Sequence, residues 1–140
     1  MGQGVNLTCA SEFYPFVGFR APYLSRDDNL RAAAEAIGFA YVSNQPILWD
    51  VLEGESYSPT DHAAYERAID FYQPWLAKDR PSLPRLHNQL VEIPVSLPDD
   101  EMLGDRLRGG TGLVERAWRR ILAETYQRGE LFTIQLHPER

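Results

Sequence analysis

The sequence predicts an α/β fold, a parallel-stranded partial β/α barrel of about four βα units. Three observations carry this expectation. Short apolar runs recur along the chain, amphipathic stretches with a 3.6-residue period separate them, and polar residues stand at the runs' carboxyl ends. Strand, crossover helix and strand repeated in that order imply right-handed connections and parallel pairing.

The first run, "FVGFR" at 16–20, reads as a strand, and "DDNLRAAAEAIG" after it reads as a helix. Leu30, Ala33, Ala34 and Ile37 share one face, Asp27 is the expected N-cap and Gly38 the stop. "FAYVSN" at 39–44 is the second strand. A long loop with Trp49 and Asp50 leads to a helix over 60–78, capped by Thr60, with Ala64, Ala68, Ile69, Tyr72, Trp75 and Leu76 on one stripe. Pro81 and Pro84 forbid its continuation. "LVEIPVS" at 90–96 is the third strand and runs into the acidic loop "LPDDEMLGD". A helix from about Leu113 to Arg128 repeats Leu113, Val114, Ala117, Trp118, Ile121, Leu122 and Tyr126, its aromatic residues expected in the core. Gly129 ends it, and "LFTIQL" at 131–136 is the fourth strand, closed by His137 and Pro138.

Sites in parallel α/β folds form at the carboxyl ends of strands. Here those ends carry Arg20, then Ser43 and Asn44, then Ser96, then His137. A guanidinium directly after an apolar strand is costly unless an anion meets it, which puts Arg20 at the mouth of a site. Four strands do not close a barrel, for which about eight are usual. The sequence therefore reads as truncated at both ends, with exposed strand edges through which it would self-associate.

Composition narrows the partners. Twenty acidic residues against fourteen basic ones give a formal charge of -6 and a pI near 5.0, which disfavours nucleic acid and anionic membranes. No apolar stretch is long enough for a membrane span, and the N-terminus shows no signal peptide. The single cysteine, Cys9, excludes an internal disulfide and a multi-cysteine zinc site. "RGGTG" precedes a helix but lacks the following lysine of a phosphate-binding loop. Asn6-Leu7-Thr8 is formally a glycosylation acceptor and is read as a chance triplet.

"GFRAPYLS" resembles the arginine-x-proline-tyrosine motif of the polysaccharide deacetylase (NodB homology) family, carbohydrate esterases with a distorted β/α barrel. "TIQLHPE" is similar to that family's last motif, a hydrophobic strand ending in histidine. The resemblance covers about Gly18 to Arg140 and corresponds to the second half of the family domain. It implies a metal-dependent hydrolase that removes acetyl groups from N-acetylated sugars through a metal-bound water. By this resemblance Arg20 would orient an aspartate base, the backbone N–H of Tyr23 would face the oxyanion, and Pro22 would set the turn between them. His137 would protonate the leaving amine.

Departures from the family pattern bear on the metal and the substrate. The resemblance implies a divalent metal, zinc above all, but the family's aspartate pair and histidine pair have no counterpart here. His62 reads as a solvated first-turn residue, His87 as a loop residue, and Asp99, Asp100 and Glu101 as an acidic turn rather than a cation site, so no metal ligand is assigned. Gln135 stands where the family often has an aliphatic residue in the acetyl pocket. Ile134 and Leu136 fall on the opposite strand face, and Leu136 joins Gln135 as a substrate-binding candidate beside the histidine. Trp49 and Asp50 match a family loop with a tryptophan and an acid near the arginine. Pro138 after the histidine resembles the branch acting on peptidoglycan-like or cyclic amides. The expected partner is a carbohydrate or another amide substrate; the alternatives are a non-catalytic carbohydrate-binding remnant and a structural α/β module.

Overall fold

The computed structural model describes residues 16–139. Cys9 and the Asn6-Leu7-Thr8 triplet lie outside them. The fold is mixed α/β with parallel strands, arranged as two short sheets that share two long, broken strands. In the first sheet β1 (Gly18–Phe19) pairs with β2 (Tyr41–Val42), and β2 with β6 (Leu90–Glu92), both in parallel. β5 (Arg85–His87) closes that sheet as an antiparallel hairpin partner of β6. In the second sheet β3 (Pro46–Leu48) lies between β4 (Trp75–Leu76) and β7 (Val95–Leu97), parallel to both.

The breaks have a clear origin. β2 and β3 belong to one run interrupted at Ser43–Gln45, and β6 and β7 to another interrupted at Ile93-Pro94. Pro94 cannot donate to a ladder. Across the break, the buried Glu92 carboxylate accepts from the backbone N–H of Asn44 at 2.6 Å and of Gln45 at 3.0 Å. A side chain thus supplies the acceptor that the ladder withdraws, as a buried amide requires. "FAYVSN", expected as one strand, forms only the first half of a longer, bent run, while "LVEIPVS", also expected as one strand, spans β6 and most of β7 with the break inside it.

α1 (Asp28–Ile37) follows the expected signals. Asp27 accepts from Leu30 N–H at 2.6 Å, and Gly38, at φ 96°, ends the helix in the left-handed region. Only Ala34 of the expected face is buried, against Val42 and Leu90, while Ile37 is exposed. α2 (Pro59–Tyr72) departs more. Its N-cap is Ser58, not Thr60, because Pro59 occupies the first helical position, where its missing N–H costs nothing. Gln73 takes φ 44° and Pro74 stops the helix, so Trp75 and Leu76 leave the expected stripe and form β4.

α3 (Gly110–Arg128) starts one turn before the expected Leu113 and ends at Gly129 as expected. It buries Leu113, Ala117, Ile121 and Thr125. Tyr126 does not join the core; it is 86% exposed, while Trp118 is partly buried, packs edge-on against Phe132 and donates to the Pro98 carbonyl. The main core lies between the second sheet and helices α2 and α3: Ile47, Trp49, Leu97, Met102, Leu103 and Ile121 are almost inaccessible. Each such side chain contributes about 1.5–3 kcal/mol on burial.

Two expected assignments change outright. His87 belongs to β5 rather than to a loop. Residues 131–136 form no regular strand: they run extended beside β7, joined by Ser96 N–H to the Thr133 carbonyl at 3.2 Å and by Thr133 N–H to Ser96 Oγ at 3.2 Å. The polar strand ends need revision too, because Ser43 and Asn44 sit at a strand break and Ser96 in the middle of β7.

Candidate functional site

A cleft of about 880 Å³ gathers Arg20, Pro22, Tyr23, Gln135, Leu136 and His137 from the two ends of the sequence. Helix α2 supplies a wall with Arg67, Ala68, Phe71 and Tyr72. Glu101, at the start of the π-helical turn Met102–Arg106, and Arg106, at its end, line the cleft as well. Trp49 and Asp50, expected beside the arginine, instead line a second, smaller pocket together with Tyr57, His62 and Tyr65. Trp49 is 1% exposed, with the Arg128 guanidinium over its ring at 5.1 Å.

The strand break described above positions the arginine turn. Arg20 donates from Nε to the Ser43 carbonyl at 3.2 Å and from a terminal nitrogen to Ser43 Oγ at 2.9 Å. Ala21 N–H donates to Asn44 Oδ1 at 2.7 Å. Ser43, Asn44 and Glu92 are all buried, so the turn hangs on a satisfied polar network rather than on loose loop contacts. Pro22 opens a single 3-10 turn, Pro22–Leu24, in which Tyr23 takes φ 56° and ψ 23°. A left-handed tyrosine is uncommon and costs roughly 1–3 kcal/mol, held here by the anchors on either side. Its ring is 78% exposed and meets Phe71 edge-on at 6.2 Å. Partial burial lowers the pKa of Arg20, which keeps its charge at any physiological pH.

His137 is held from two sides by one carboxylate. Its backbone N–H donates to Asp100 Oδ2 at 2.8 Å, and its ring Nδ1 lies 2.7 Å from Asp100 Oδ1. The ring orientation is thereby set, and Nε2 is the position left for a ligand. The hydrogen bond to Asp100 raises the His137 pKa against a smaller opposing effect of burial. For Asp100, burial acts upward, but the backbone and ring contacts from His137 together outweigh it and the carboxyl sits below its usual range. Asp99 goes the other way: burial raises it, partly offset by the Met102 amide.

Asp99, Asp100 and His137 offer ligand atoms within 4.8 Å of one another, which raises the question of a cation. Their bonding answers it. Asp99 accepts from Met102 N–H at 2.9 Å and from Gln135 Nε2 at 3.0 Å, while both Asp100 oxygens are taken up by His137. The three groups are thus tied to one another and to neighbouring amides, and an ion shared among them would have to displace the 2.7 Å contact between His137 Nδ1 and Asp100 or bind through Nε2 instead. The Gln135 amide oxygen is buried without a partner among the described residues.

Sequence reasoning missed Asp100 as the partner of His137, reading residues 99–101 as a plain acidic turn. The signal was its position three residues after β7, at a strand's carboxyl end. Arg67 and Phe71 gave no signal, being exposed residues of α2 outside the expected stripe, whereas Tyr72, expected on that stripe, is half-buried against the core and lines the cleft as well. No family model, curated protein or solved structure matches this chain.

Proposed function

We propose that the cleft is the proton-donating part of a polysaccharide deacetylase-like hydrolase, acting on the amide C–N bond of N-acetyl groups on sugars. One observation carries the reading: Arg20 and His137, near opposite ends of the sequence, line the same cleft, and His137 is fixed by a carboxylate that keeps it protonated to higher pH. An imidazolium with Nε2 turned to a ligand is suited to protonate a departing amine. Tyr23 and Phe71 offer exposed rings on which a sugar can lie. In this reading the sheet is part of a distorted β/α barrel, and the divalent metal that supplies the attacking water is held by residues outside these 140.

The test is acetate release from N-acetylglucosamine oligomers, with zinc supplied, by the protein purified from the cells that produce it. Replacing a general acid costs roughly 10²–10⁴-fold in rate, so His137→Ala should lose activity on that scale. Release unaffected by His137→Ala contradicts the reading. Sugar binding with no release in any preparation favours the non-catalytic carbohydrate-binding module instead.

A further inference from the structure

The arginines of this chain are almost all spoken for. Arg31, Arg106, Arg108, Arg116, Arg119, Arg120 and Arg128 pair with carboxylates; Arg26 donates to backbone carbonyls, and Arg80 and Arg85 lie on the Trp75 ring. Arg67 is different. Among the described residues it makes no hydrogen bond, ion pair or ring contact, and it stands on the cleft wall. Arg20, on the same cleft, bonds to Ser43 and, among the described residues, has no carboxylate partner. Among the described residues lining the cleft, the one acid, Glu101, is paired with Arg106 at 2.7 Å. A protein of formal charge -6 therefore presents a cleft whose uncompensated charge is positive.

Next to Arg67 on α2, one helical turn on, Phe71 is 63% exposed and forms with Tyr23 an edge-to-face pair inside the cleft. Exposed rings beside an unpaired guanidinium match a ligand with a ring face and an oxyanion. We propose that the cleft takes an acidic N-acetylated sugar, its ring against Tyr23 and Phe71 and its carboxylate bound by the Arg67 guanidinium. This names a substrate class and rests on the reading of the cleft as a sugar-amide site. Arg67 is a specificity residue in this scheme and takes no part in bond breaking.

The experiment is calorimetric titration of the full chain with the disaccharide of glucuronic acid and N-acetylglucosamine, and with its methyl ester, which differs only in charge. A charge-assisted two-pronged contact should make the acid bind about tenfold tighter than the ester, an advantage that shrinks as salt is added. Arg67→Met should abolish the preference while leaving ester binding within about twofold, because the exposed side chain holds nothing else. Arg67→Lys keeps a point charge without the fork and should retain part of it. Equal binding of acid and ester, or a preference that survives Arg67→Met, overturns the inference and leaves the deacetylase reading intact. If the acid is preferred but the analogue lacking the acetamide binds as well, the anion site stands and the amide reading falls. Unfolding curves for both variants confirm that the fold is retained.

Discussion

Replacing Asp100 by Asn removes the charge that holds His137 while keeping the side chain's shape. The contact is short, 2.7 Å between Nδ1 and Oδ1, and the two side chains are 30% and 13% exposed, so solvent screens it only in part. A hydrogen bond to a charged group is worth about 1.5–3 kcal/mol, and with partial screening about 1.5–2 kcal/mol of coupling is expected when both partners are ionised. The His137 pKa is raised in the folded state, so its contribution is fully present below the unfolded value near 6.5 and is lost as pH rises through the folded value. The Asp100 pKa is lowered, so its contribution is present above about 3.8 and is lost as pH falls through the folded value. A double-mutant cycle of Asp100→Asn and His137→Gln, read by urea unfolding at about pH 5.5 and pH 8.5, resolves this window. Coupling should weaken at the higher pH, where the neutral imidazole still donates to the Asp100 carboxylate but the ion pair is gone. Coupling that is absent at pH 5.5, or that grows with pH, refutes the assignment of His137 and Asp100 as an ion pair.

Glu92→Ala strands the amides of Asn44 and Gln45 in a buried site and should cost about 2–4 kcal/mol in chemical unfolding, with the arginine turn loosened as well. Leu97→Ala, at a side chain with 0% exposure, should cost about 2–5 kcal/mol by the same assay. Ser58→Ala removes the N-cap of α2 and should cost about 1 kcal/mol. Zinc titrated into the chain should show no tight stoichiometric site by calorimetry, since the acidic cluster is already satisfied internally; a tight site would mean that Asp99, Asp100 and His137 rearrange around the ion.

Local signals were legible where one residue decides the backbone. Asp27 and Gly38 bound α1 as their chemistry demands, and Gly129 ends α3. The strand breaks were hidden because a side chain, Glu92, carries the acceptor role that sequence patterns assign to the partner strand. Trp75 and Leu76 fitted a helical stripe by spacing, but Gln73 and Pro74 had already turned the chain. The stretch at 131–136 alternates like a strand yet is held at scattered points, Leu131 to Ser82 and Thr133 to Ser96, and without a continuous ladder Gln135 and Leu136 both line the cleft. Arg20, Tyr23 and His137, singled out from the sequence by their place in a proline turn and at the end of an apolar run, all line one cleft. Asp100 and Arg67 were not, since each is an ordinary surface residue until the fold brings His137 or the cleft to it.

We propose that the Arg20–His137 cleft holds an N-acetylated sugar. Nuclear magnetic resonance on the isotopically labelled chain, titrated with N-acetylglucosamine oligomers, tests it most directly. Shifts should concentrate at Tyr23, Phe71, Gln135 and the His137 ring, and should vanish when Arg20 and His137 are both replaced by Ala. Shifts centred on Trp49, Asp50 and Tyr57 in the second pocket, or none at saturating sugar, would contradict it.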